Sequence, residues 1–214
     1  MASRNPKQLI VEGPDDLFSV VGLMRAHIAW PQKKEEALVW IESGDGVKKI
    51  LERDYLKVKL KTPGLEILGV MLDADTSSQG RYESVRNLCV GMFPQMPEEL
   101  PADGLVTEND RQRFGVWIMP DNVSEGSLET FLRSTVPGAS APLWTHATES
   151  VSKARSMGAT CRECHLDKAH LYTWLAWQDP PGQSGGMALT RKILDPHSAS
   201  SLPFVKWFRD LYRL

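Results

Sequence analysis

No part of this chain is apolar for long enough to cross a bilayer: its longest apolar stretches, such as Ile67 to Leu72, fall far short of the roughly 20 residues a spanning helix needs. No membrane partner is expected. Cysteine is scarce too. Cys89, Cys161 and Cys164 are an odd number in a chain this long, which argues against a secreted disulfide framework and for a reducing, cytoplasmic compartment. The opening MASRNPKQLIVEG lacks the long hydrophobic region and small-residue cleavage site of a signal peptide. An excess of one charge is also missing. Lys+Arg 25 against Asp+Glu 27 leaves a net charge of -2, so no global field draws the chain to nucleic acid and only a local basic face could do so.

The rest of the composition is that of a folded protein. With 214 residues, 42% hydrophobic and 24% charged, and with ordinary Gly and Pro usage, the chain suits one α/β domain or such a domain with a helical extension. Leu9, Ile10 and Val11 precede Gly13 and Pro14, and apolar residues then recur at Leu17, Val20, Val21, Met24 and Ile28: a strand, a tight turn and an amphipathic helix. Ala37 to Ile41 reads as a second strand, and after Gly44 and Gly46 the residues Val47, Ile50, Leu51 and Leu56 continue at helical spacing. Leu65 to Leu72 reads as a strand covered on both faces, with a helix over Ser78 to Val90 behind it. Such alternation implies a mainly parallel sheet of about four to five strands flanked by helices. Gly104 to Val106 and Phe114 to Met119 are short strands fit for a hairpin or a sheet edge. Beyond Asn122 the chain turns largely helical, over Leu128 to Arg133, Leu143 to Ser156, Leu166 to Trp177 and a last segment with Phe204, Trp207, Phe208 and Leu211. The expected division is an α/β core over 1–135 and a C-terminal helical extension over 136–214 packed on it.

In a parallel sheet, ligands bind outside the carboxyl ends of the strands, and acids collect there. Glu12 closes the first strand and Asp16 lies in the next helical turn. Asp73 and Asp75 close the third strand, Asp121 follows the later strand, and Glu125 and Glu129 flank the start of the next helix. On an extended backbone Asp73 and Asp75 would face each other. At about 6 Å and an effective dielectric near 20 they would repel by about 3 kcal/mol, which calls for a cation, a basic neighbour or a proton. Oxygen ligands with water suit Mg²⁺ or Mn²⁺. Each acid also has a plainer reading: Asp16 as a response to the helix dipole, the Asp pair as turn formers, Glu125 and Glu129 as a solvated helix face.

Ile10-Val11-Glu12-Gly13 with Asp16, followed by Asp73-Ala74-Asp75, resembles a TOPRIM domain, the family of topoisomerase and primase cores and of overcoming-lysogenization-defect (OLD) nucleases. The resemblance takes in Gly44, Gly46 and Leu128-Glu129 and covers roughly residues 7 to 135. The tail, with Trp174-Leu175-Ala176-Trp177-Gln178 and Phe204-Val205-Lys206-Trp207, resembles that of a small prokaryotic TOPRIM-like family related to OLD nucleases. The resemblance implies a TOPRIM-like fold, an acid/base or metal role for Glu12, metal binding by Asp73 and Asp75, and further metal positions at Asp16, Glu129, Asp121 and Glu125. It also implies Mg²⁺- or Mn²⁺-dependent hydrolysis of DNA or RNA, a catalytic lysine for which Lys168 is the candidate, and by analogy an ATPase partner protein in phage defence. The alternative is a catalytically silent TOPRIM-fold binding or regulatory module. No tyrosine stands in a topoisomerase nucleophile context, and Gly44 to Lys48 lacks the spacing of a phosphate-binding Walker loop.

Three further features have plainer readings. Lys48, Lys49, Arg53, Lys57, Lys59 and Lys61 could track a nucleic-acid backbone but read first as a solvated helix face. Cys161, Cys164 and His165 spell CxxCH. Without an export signal or a second ligand pair, neither haem attachment nor zinc is favoured, and the expectation is buried or redox-neutral cysteines on a helix. Trp174, Trp177, Trp207, Phe208 and Tyr212 have helical spacing and read as the core of a C-terminal layer.

Overall fold

The computed structural model describes residues 5–214; residues 1–4, the start of the segment read above for a signal peptide, lie outside the described residues. The strands β1 (Lys7–Val11), β2 (Trp40–Ser43), β3 (Ile67–Asp73), β4 (Leu105–Glu108) and β5 (Arg113–Met119) form one sheet in the order β2-β1-β3-β5-β4. β1 runs parallel to β2 and β3, and β3 parallel to β5. Only β4 is antiparallel, paired with β5 as the anticipated edge hairpin. The fold is α/β, with a five-stranded, mostly parallel sheet flanked by helices.

Residues Ile67 to Leu72 of β3 are all buried, because alternate side chains enter two separate cores. Leu68, Val70 and Leu72 pack with α2 (Val47–Ile50), α3 (Tyr55–Leu60) and α4 (Ser78–Cys89). Ile67 and Met71 face the other way, toward α1 (Pro14–Met24), α5 (Leu128–Ser134), α7 (Leu166–Ala176), α8 (Gly185–Thr190) and α9 (Leu202–Tyr212). The C-terminal helices thus share one apolar core with α1. Between the two inward residues of β3 stands Gly69, paired in register with Gly115 of β5. A Cβ at Gly115 would collide with Leu211, and one at Gly69 with the Tyr212 hydroxyl and Leu9. The two glycines open a furrow across the sheet in which α9 lies. There the Tyr212 hydroxyl donates to the Gln8 carbonyl at 2.8 Å, and Trp207 Nε1 donates to the Leu105 carbonyl at 3.0 Å.

Several expectations need correction. The second strand starts later than Ala37, because Lys34–Glu36 form a 3₁₀ turn first. The helical pattern from Val47 to Leu56 is not one helix: the chain turns between Ile50 and Tyr55, giving the short α2 and α3, with Ile50 and Leu56 buried from each. α8 was not anticipated. The small size of Gly185 and Gly186 is what the packing uses, for a Cβ on Gly186 would meet the Phe18 carbonyl of α1 and one on Gly185 would meet Leu132 of α5. Trp174, Trp207, Phe208 and Tyr212 are buried as expected, whereas Trp177 is 43% exposed. Among the described residues no helix is long and apolar enough to cross a membrane.

Replacing Gly115 by Val should lower stability by about 1–3 kcal/mol, because the added methyls must displace Leu211 from the furrow. Urea unfolding of the two proteins measures this, and an unchanged midpoint would mean that α9 does not depend on the furrow.

Candidate functional site

After β1 the chain moves to β2 on one side, and after β3 it moves to β5 and β4 on the other. The crevice between the carboxyl ends of β1 and β3 is therefore the point where the strand order reverses, the usual ligand position in such sheets. Glu12 and Asp73 stand at these two ends. Glu12 Oε1 accepts the Asp73 amide at 2.9 Å, which bridges the strands. Asp16, in the first turn of α1, accepts the Gly13 amide at 2.8 Å and is only 8% exposed. Asp73 accepts the Leu128 amide at 2.9 Å, so the start of α5 is held against the end of β3. Glu129 lies one residue further along α5, its side chain 13% exposed.

These carboxylates perturb one another. Burial, and then the nearby charges of Asp16, Glu12 and Glu129, push the Asp73 pKa up to about 8, against the Leu128 hydrogen bond. Burial also pushes Asp16 up to about 7, with Glu12 and Glu129 adding to it against the Gly13 hydrogen bond. Glu12 is raised by burial, opposed by the Asp73 amide and the charge of Arg81. The four acids open on a cleft of about 600 Å³, also lined by Asp15, Asp75, Gly46, Ser127, Cys164, His165, Asp167 and Lys168.

Not every residue singled out in the sequence joins the cluster. Asp75 was expected to face Asp73 along an extended strand, but β3 ends at Asp73 and Asp75 has φ 52°. It lines the cleft from an exposed position, ion-paired with Arg81, and Asp73 feels Asp16, Glu12 and Glu129 instead. Asp121 and Glu125 do not line the cleft. The Asp121 carboxylate closes its own turn, accepting the amides of Val123 at 3.0 Å and Ser124 at 2.7 Å and the Ser124 hydroxyl at 2.9 Å. Burial opposes its charge, but those three hydrogen bonds outweigh it and hold its pKa below the usual carboxylate value. Glu125 is exposed.

Lys168 does reach the cleft, from the first turn of α7. Its Nζ lies 3.2 Å from Glu129 Oε1 and 3.7 Å from Asp15 Oδ2. Partial burial works against its charge, but Glu129 outweighs that and its pKa is raised. α7 is tied in place by Asp167, which accepts the Thr130 hydroxyl at 2.5 Å. Asp15, Asp167, Ser127 and Arg81 are the residues that sequence reasoning passed over. A signal existed for Arg81, a cation in the first turn of the helix that follows the Asp73-Ala74-Asp75 motif; Asp167 had none. Cys164 and His165 line the cleft from a 3₁₀ turn, Glu163–His165, with Cys164 exposed and Cys161 half-buried. Neither cysteine is buried on a helix as expected. Cys89 is buried, its thiol pushed up to about 12 by that burial.

The donor set is all oxygen, as Mg²⁺ or Mn²⁺ prefers. Among the described residues no three His, Cys, Asp or Glu side chains already gather closely enough to chelate an ion. Magnesium keeps several waters and needs only one or two carboxylates, so Asp73 with Glu12 or with Glu129 fits the ion.

A family model described as a protein of unknown function (DUF3226) matches residues 6–213. The chain belongs to the DUF3226 family. That match runs through the C-terminal helices as well as the sheet, so the DUF3226 unit includes Lys168 along with Glu12 and Asp73. No curated protein and no solved structure matches the chain.

The raised carboxyl groups set a pH dependence for this DUF3226 protein. Asp73 and Asp16 hold protons more tightly folded than unfolded, so the folded state binds more protons between about pH 4 and about pH 8, and stability falls as pH rises through that window. Thermal melting at pH 5 and pH 8 should show this fall, and Asp73→Asn should flatten it. Asp121→Asn should lower the melting temperature by loosening its turn while leaving Mn²⁺ affinity unchanged, read by calorimetric titration.

Proposed function

We propose that this protein is a TOPRIM-like, Mg²⁺- or Mn²⁺-dependent nuclease that hydrolyses phosphodiester bonds of DNA or RNA in the cytoplasm. The observation that carries the reading is the meeting of Glu12, Asp16, Asp73 and Glu129, from three separate segments, in one cleft at the strand-order reversal, with Asp73 and Asp16 raised to about 8 and about 7. Buried acids whose charges oppose one another at such a position favour a cation. The motif Glu12-Gly13 with Asp73-Ala74-Asp75 supports the TOPRIM-like assignment.

Asp73, with Glu12 or with Glu129, would hold the ion. A bound Mg²⁺ or Mn²⁺ supplies neutralisation of the charge that develops on a scissile phosphate. Glu12, fixed by the Asp73 amide and with its pKa raised by burial, is suited to take a proton from an attacking water. Lys168, which lines the cleft beside Glu129, is the cation that would meet phosphate oxygens and the catalytic candidate, adding positive charge where the transition state is most negative. The analogy to OLD nucleases extends to a separate ATPase partner protein and a role in phage defence.

A second reading, a catalytically silent binding or regulatory module, draws on the pairing of Glu129 with Lys168 and of Asp75 with Arg81, which already neutralises part of the cluster. Cleavage of labelled single- and double-stranded DNA and RNA with Mn²⁺ separates the two. Glu12→Gln and Asp73→Asn should each lower the rate by about a hundredfold or more. Unchanged cleavage in both variants would trace the activity to a contaminant and leave the second reading.

A further inference from the structure

Lys168 stands where an ion bound by Glu129 would feel it most. Its Nζ is 3.2 Å from Glu129 Oε1 and 3.7 Å from Asp15 Oδ2, while the other Glu129 oxygen takes the Ser127 hydroxyl at 2.9 Å. The Glu129 side chain is 13% exposed, the lysine 51%. The acid is therefore fixed and enclosed, and the cation is on a flexible stem with open space to move into.

We propose that Lys168 is the resident counter-ion of the acid cluster and that a divalent cation must displace it from Glu129, the two competing for one carboxylate. The inference rests on the metal-binding reading above and adds that the ion-free site is held shut by the chain's own ammonium group. A dication and an ammonium drawn to the same Glu129 carboxylate repel each other across a few ångströms in a partly enclosed cleft, which opposes double occupancy. Lys168 lies on the first turn of α7, which Asp167 ties to α5 through Thr130. Its backbone can stay in place while the side chain swings.

The test is calorimetric titration of the full chain with Mn²⁺, without nucleic acid, for the native protein, K168M and K168R, together with thermal melting in EDTA and in saturating Mn²⁺. Competition predicts that K168M binds Mn²⁺ about tenfold more tightly than the native protein and that K168R, which keeps the charge, stays within about twofold of it. In EDTA, K168M should melt below the native protein, and saturating Mn²⁺ should close that gap. Equal or weaker Mn²⁺ binding by K168M overturns the Lys168 proposal and leaves the metal reading standing. Absence of Mn²⁺ binding in all three proteins overturns both.

Discussion

Negative charges brought together where water is scarce have to be compensated, and the carboxyl edge of this sheet is organised around that requirement. Three kinds of compensation operate at once. Backbone amides serve Glu12 and Asp73, which accept N–H groups from other segments, and Asp16, which accepts the Gly13 amide at the start of its own helix. Protons serve Asp73 and Asp16, whose burial keeps them protonated to unusually high pH. The chain's own cations serve Glu129 and Asp75, through Lys168 and Arg81. An arrangement with no use for the charge would be less costly if built from apolar residues, which supports the metal-binding reading proposed above.

The fold brings these groups together through two features that have no chemistry of their own. One is the reversal of strand order between β1 and β3, which sets two loop ends side by side. The other is the return of the C-terminal chain to the first core: α9 settles in the furrow over Gly69 and Gly115, and α8 meets α1 where Gly22 faces Gly186. With those contacts made, α7 lies against α5 and carries Lys168 and Asp167 to the cleft. The family match over residues 6–213 spans the same set of elements.

Much of the fold and part of the site could be read from the residues in order. The alternation of apolar runs with helical periodicity reports a parallel sheet because a strand buried on both faces has to be apolar throughout, as Ile67 to Leu72 are. Glu12, Asp16 and Asp73 were legible because strand ends and first helical turns are local features. Asp75 was misjudged because its orientation depends on whether the backbone remains extended for two more residues, and it does not. Asp121 resembled a cluster member in sequence, yet its oxygens are taken by the amides of Val123 and Ser124. α8 escaped notice because its glycines answer to a neighbouring helix rather than to their own.

By itself the sequence determined the layered α/β architecture and the presence of acids at the ends of its strands, since both follow from interactions between residues near one another along the chain. Only the tertiary structure decided which acids share a cleft, that Asp73 opposes Asp16 and Glu129 rather than Asp75, and that Lys168 closes the cluster. Those outcomes depend on distances between segments far apart in sequence, and electrostatic coupling falls with distance in space, whatever the separation along the chain.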